Sequence, residues 1–257
     1  MRVFTFEKLT GFVIVVSFYL LNATSVVAQS VPQQLTVPTA RLYNTNTQTE
    51  VLISAASVAG LGLSRLIKPH VCPAPCIDEQ LIGLDRHFAG HSERKGIDRA
   101  STVLVATATG LPFLLTISTS RQDLRPEQHW RDAAVMAETL LMTTAITEVV
   151  NNITSRPRPF VWGLPDTDSR YGRPSSYKSF FSEHAALAFA ATMAYAKMHA
   201  RSHPNSNPAL AYGFGIGLAA TTGSLRVAAG EHYPTDVIMG SLVGSAIGLF
   251  VTPALHR

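Results

Sequence analysis

Residues 224–236 read SLRVAAGEHYPTD, which sets Arg226, His232 and Asp236 at intervals of six and four. Residue types in this order carry a definite chemistry. A guanidinium binds anionic oxygens through paired, charge-assisted hydrogen bonds. An imidazole oriented by a carboxylate serves as a nucleophile or base near neutral pH. Two other stretches supply matching groups: NNITSRPRPF (151–160) holds Arg156 and Arg158, and SFFSEHA (179–185) holds Ser182, Glu183 and His184. Together they offer one histidine to attack, a second to protonate a leaving group and guanidiniums to stabilise developing charge. That set describes a phosphoryl-transfer site that needs no metal.

Such a site exists only if the three stretches meet. From residue 51 onward the chain alternates long uncharged runs with polar, proline-bearing connections and shows almost no period-two pattern. Helices are expected over roughly 51–67, 100–118, 131–151, 183–200, 208–228 and 235–254. Ser182 is a good N-cap for the fourth. Asn207 and Pro208 suit the start of the fifth, Gly230 its end, and Pro234 the first turn of the sixth. Prolines 157 and 159 end the third and leave Arg156 and Arg158 in extended backbone. Successive helices alternate direction, so the end of the third, the start of the fourth, the end of the fifth and the start of the sixth share one end of the bundle. All three stretches lie there. Asp236, one helical turn beyond His232, can reach back toward its ring, and the N-terminus of the fourth helix offers free N–H groups to an anion.

The three stretches resemble the signature of the type 2 phosphatidic acid phosphatase superfamily, which also holds class A acid phosphatases and vanadium haloperoxidases. Its pattern is Lys, six residues, Arg-Pro; then Pro-Ser-Gly-His; then Ser-Arg, five residues, His, three residues, Asp. NNITSRPRP, FSEH and SLRVAAGEHYPTD follow it in order and spacing, and the three together are far more specific than any one. The resemblance covers residues 51–254 and implies an all-α six-helix bundle. It implies that His232 attacks phosphorus to form a phosphohistidine and that Asp236 holds its ring in the required tautomer. His184 would protonate the leaving oxygen and then activate water, Arg158 and Arg226 would clamp the phosphate, and Ser182 with neighbouring amides would complete the cradle. Neither a metal nor any other cofactor is implied.

Four positions depart from that pattern. Asn151 stands where the family has its clamp lysine, which removes a cation; loss of one such donor can cost about 10²–10³ in rate. Arg156 is a nearby candidate to compensate. Glu183 stands where the family has glycine, and it carries a like charge beside an anion. In one reading it points away as a first-turn acid favoured by the helix dipole; in the other it weakens the site or makes it acid-dependent. Phe181 and Leu225 are milder changes. Singly, the motif residues also have plainer readings as caps and helix-end charges.

Composition bounds the setting. Hydrophobic residues make up 46% and charged ones 15% of 257 residues, well below the charge fraction of about a quarter usual in soluble domains. Uncharged runs at 101–118, 208–225 and 237–255 match a membrane span in length. The net charge of +4 suits an anionic substrate or a membrane surface; no basic run or zinc-finger spacing points to nucleic acid. Residues 1–28 read as an export signal, or as an uncleaved anchor: Arg2 and Lys8 precede the apolar run Phe12–Leu21, and SVVAQS offers cleavage after Ala28. Residues 29–50 read as a polar linker and 51–257 as the catalytic domain. In an exported chain a disulfide between Cys72 and Cys76 is the default. His70, His87, His91, His129, His199, His203 and His256 fit no motif and read as loop or surface residues.

Parity links these features. If the N-terminus is exported and all six helices cross, the site and both cysteines face the cytoplasm, at odds with an oxidised pair. If 51–67 does not cross, the site faces outward and the basic connections at 120–131 and Arg201 lie inside. The expectation is thus a membrane-embedded phosphatase with an outward site acting on phosphate monoesters or diphosphates, with lipid tails where the bundle lies in lipid. A soluble periplasmic bundle, a phosphotransferase, a degenerate binder of anionic headgroups and, more distantly, a haloperoxidase are the alternatives.

Overall fold

A computed structural model describes residues 46–72, 81–118, 126–165, 167–203 and 205–256 of the protein, with the side chains of 118 and 126–129 left aside. The export segment, most of the linker, Cys76, the His129 side chain and part of the 120–131 connection therefore lie outside what is described.

The described chain is all helix and turn. Its helices are α1 (Thr47–Leu66), α2 (Gly83–Arg86), α3 (Lys95–Ser118), α4 (Pro126–Thr154), α5 (Glu183–Ser202), α6 (Pro208–Ala228), α7 (Pro234–Ala246) and α8 (Thr252–Leu255). A π turn, Ile247–Val251, carries α7 into α8. Six long helices thus stand where the six predicted ones do, with α2 an addition. The first begins at Thr47 because Asn46 caps it: its side chain accepts from the Gln48 N–H, and Glu50 lies in the first turn. Residues 47–50 therefore belong to the helix rather than the linker. Ser182 and Asn207 cap α5 and α6 as expected, and Pro208 and Pro234 occupy first turns.

α5 is the central helix. Ala185, Ala186, Ala188, Ala190, Ala191, Ala194 and Ala196 are all fully buried. A helix this rich in alanine lets neighbouring backbones come close, and α7 exploits that with glycine at every fourth position. A Cβ on Gly240 would lie 2.5 Å from the Ser182 carbonyl oxygen, and one on Gly244 2.1 Å from that of Ala186. The contact draws the first turn of α7 against the first turn of α5, where the Ser182 N–H donates to the Asp236 carbonyl at 3.0 Å. Met142, Ile146 and Val150 of α4 fill the other side of α5 together with Phe181, Ile247 and Val251. α1 runs along α4 in the same direction: the Ser54 hydroxyl donates to Glu138 (3.1 Å), and Asn152 Nδ2 donates to the Ser64 carbonyl (2.6 Å). Phe160, Val161, Tyr171 and Tyr177 form a smaller core under the 159–177 segment. Cys72 lies against it, its Sγ 3.8 Å from both tyrosine hydroxyls.

The outside of the bundle is apolar. Leu52, Val103, Leu114, Leu210, Phe214, Leu242 and Phe250 are exposed. Among the described residues, four segments are long and apolar enough to cross a membrane: Thr47–Leu66, Lys95–Ile117, Trp130–Gly163 and Pro234–Leu255. These overlap two of the three uncharged runs noted above; the run at 208–225 is not among them. One histidine departs from its expected place. His256 is not a surface residue but 2% exposed, because the turn after α8 folds its ring between carboxylates of α1 and α4.

Candidate active site

The turn that presents His232 begins at Gly230. Its φ is +76°, and a Cβ there would stand 2.9 Å from the Ser92 carbonyl oxygen, so a side chain would meet both strain and a clash. This turn ends α6 and buries the His232 ring. Nδ1 lies 2.8 Å from the Ser179 carbonyl oxygen. A carbonyl only accepts, so Nδ1 carries the proton and Nε2 holds the lone pair. Burial, with Arg158 and Arg226 adding to it, pushes the pKa of the ring well down, and it is neutral at neutral pH.

Asp236 is fully buried but does not bond the ring directly. Its Oδ2 is 3.7 Å from His232 Nδ1, while the carboxylate accepts from the Ser179 hydroxyl (2.5 Å), the Tyr233 N–H (2.9 Å) and Arg156. Its hold on the ring runs through Ser179, whose hydroxyl it binds and whose carbonyl fixes Nδ1–H.

Each arginine is matched by acid. Arg158 and Arg226 share one carboxylate, that of Glu231: Arg158 Nη1 bonds it, and Arg226 Nη2 lies 3.3 Å away. Arg226 also donates to Asp98 and to the Ser101 hydroxyl (3.0 Å), and its buried Nε has no partner. Arg158 Nε donates to the Ser175 carbonyl at 3.1 Å. Arg156 belongs to a different group. It bonds Asp85 (2.7 Å), Asp236 and the Thr235 hydroxyl (3.0 Å), and lies 4.3 Å over the Tyr233 ring. It braces the start of α7 and is not free to replace the missing clamp lysine.

His184 sits in the first turn of α5, and its buried Nε2 has no hydrogen-bond partner. Burial, then Arg226, His232 and Arg158, lower its pKa to about 3, so it too is neutral. Ser182 is fully buried as the cap of α5. Asn151, at the end of α4, is buried with its Nδ2 on the Phe181 carbonyl at 3.4 Å. Glu183 lies partly buried in the electrostatic reach of Glu148, Lys178, Arg158 and Arg226; burial, reinforced by Glu148, raises its pKa.

The predicted residues thus come together, and sequence reasoning missed four others. Ser179 and Glu231 were inside the quoted stretches but lacked a motif role. Asp98 and Asp85 carry no local signal, since their arginine partners lie 128 and 71 residues away.

Residues 132–257, which contain all three stretches, match the sequence profile of the PAP2 superfamily. The chain belongs to that superfamily. Membership supports a function of the phosphatase type on a phosphorylated substrate. No curated protein and no solved structure matches the chain.

Proposed function

We propose that this PAP2 superfamily member hydrolyses phosphate monoesters or diphosphates of lipids through a phosphohistidine on His232. The observation that carries the reading is the pair of neutral histidines beside two guanidiniums: His232 Nε2 holds a lone pair, and His184 Nε2 is buried without a partner. His232 Nε2 attacks phosphorus as the bond to the leaving oxygen breaks. A bound phosphate offsets the field that the arginines add to burial at His184 and so raises its pKa; the ring takes up a proton as the phosphate binds and donates it to that oxygen. His184 then takes a proton from water as the water oxygen attacks phosphorus and the N–P bond breaks, which frees His232 and phosphate. Arg158 and Arg226 supply the positive charge the phosphoryl oxygens need.

Release of phosphate by the purified full chain tests this, with a soluble aryl phosphate, a phosphatidic acid and a polyprenyl diphosphate as substrates. Release that is abolished in His232→Ala supports the reading, and ranking the substrates decides between lipid and soluble esters. Product transferred to an added alcohol instead of water marks a phosphotransferase. A second reading, a headgroup binder without turnover, is favoured by Asn151, which donates to a backbone carbonyl at the position of the clamp lysine. Anion binding with no phosphate release would establish it.

We further propose export directed by residues 1–28, a linker up to the start of α1, a Cys72–Cys76 disulfide, and a site on the exterior side. Because α1 lies alongside α4, both cross the membrane or neither does. Export starts α1 outside, so an exterior site requires the bundle to lie outside the bilayer; an embedded bundle has an exterior site only where residues 1–28 stay on the inner side as an anchor. A topology reporter fused after residue 257, at the end opposite the site, reads which holds.

A further inference from the structure

At the end of the bundle opposite the phosphate site, Glu50 of α1, Glu138 of α4 and His256 after α8 converge, each from a different element. His256 Nε2 lies 3.2 Å from Glu50 Oε2 and 3.0 Å from Glu138 Oε2, and the first of these contacts joins residues 206 positions apart. The three ligating atoms all lie within 4.8 Å of one another. The other ring nitrogen, Nδ1, is 2.8 Å from the Thr252 carbonyl oxygen. That carbonyl only accepts, so Nδ1 carries the proton, and where the ring is neutral its Nε2 turns a lone pair toward two carboxylates. In that state three acceptors point at one another in a buried place, and they repel unless a cation, a metal ion or a proton, lies between them.

We infer that Glu50, Glu138 and His256 bind one divalent transition-metal ion of the zinc class. Bonds of about 2.0–2.2 Å to a shared ion place neighbouring ligand atoms roughly 3.0–3.5 Å apart, which is the separation found on both sides of Nε2. One imidazole with two carboxylates suits zinc or manganese; it lacks the thiolates that select copper(I). Further bonds hold the ligands. The Thr252 carbonyl fixes the ring tautomer, as ligating histidines ordinarily require. The Ser54 hydroxyl donates to Glu138 Oε1 at 3.1 Å, and the Thr139 and Thr252 hydroxyls lie 3.0 Å apart. Glu50 Oε1 is buried without a partner, which leaves a second oxygen for the ion. Such an ion clips α1 and the end of the chain onto α4. It has no part in the phosphoryl chemistry at the other end.

The rival is a shared proton that turns His256 into an imidazolium between the two acids. To separate them, the full chain is stripped with a chelator and titrated with Zn²⁺ and Mn²⁺ while bound metal and melting temperature are followed. The expected result is one equivalent bound at micromolar affinity or tighter, a melting temperature that rises with metal and falls on chelation, and affinity at least about tenfold weaker in Glu50→Gln and Glu138→Gln. Two outcomes overturn the inference: no binding by the wild-type chain at 100-fold higher metal, or binding unchanged in the folded Glu50→Gln variant. The wild-type titration decides the first even if a variant fails to fold.

Discussion

Glu231→Gln probes the clamp directly. The Glu231 carboxylate holds both Arg158 and Arg226, so a phosphate that reaches the same guanidiniums must share or displace it. With the two anions roughly 5–6 Å apart and an effective dielectric near 20, each unit of phosphate charge meets about 3 kcal/mol of repulsion. Screening by water and salt at the pocket mouth leaves about half of that, or about tenfold in affinity. Glu231→Gln keeps the side-chain shape and removes the charge. Inorganic phosphate and orthovanadate, which carry at least one charge near neutral pH, should therefore bind at least about tenfold more tightly to the variant at low salt, whether measured as competitive inhibition of phosphate release or by calorimetry. The gain should shrink as salt rises. Weaker anion binding in Glu231→Gln would refute the reasoning. It would mean that the carboxylate's main effect is to hold the two guanidiniums in place rather than to compete with the ligand.

Other predictions follow from the same geometry. The folded pKa of His184, about 3, and that of His232 lie below the ordinary histidine value, so both rings contribute stability that is present above pH 6.5 and is lost as pH falls toward the folded values. The melting temperature should drop below pH 6.5, and orthovanadate should offset the loss because a bound anion favours the charged rings. Asp236→Asn should lower kcat by about 10–100-fold, less than the roughly 10⁴ seen where a carboxylate alone sets the tautomer, since the Ser179 carbonyl still fixes His232 Nδ1–H; a loss of 10⁴ would contradict this. Gly244→Val should destabilise by at least about 1–3 kcal/mol, judged by denaturant unfolding, because its side chain would run into the Ala186 carbonyl.

What was legible in the sequence was whatever a short span of chain determines. Caps at Ser182 and Asn207 and prolines at 208 and 234 mark helix ends by local chemistry, and alternating direction then assembles the site without any knowledge of packing. The limits appear where a partner is distant. The four-residue spacing of His232 and Asp236 suggests direct contact, yet the Nδ1 bond goes to Ser179, 53 residues upstream, and the carboxylate comes no nearer than 3.7 Å. Arg156 looks like a spare phosphate ligand because no acid stands near it in residues 151–160; Asp85, 71 residues away, commits it to bracing α7. His256 reads as a surface residue for the same reason: only packing of α1 on α4 brings Glu50 and Glu138 to it. In each case the arginine or histidine is visible and its acid is not, because an acid carries no sign of which distant cation it will meet. A buried guanidinium without its carboxylate is costly, so a chain that buries Arg156 and Arg226 had to supply acids for both. That requirement, rather than any motif, is what singles out Asp85, Asp98 and Glu231. Glu231 differs from the other two in holding both clamp guanidiniums at once, which makes it the acid a bound phosphate must contend with.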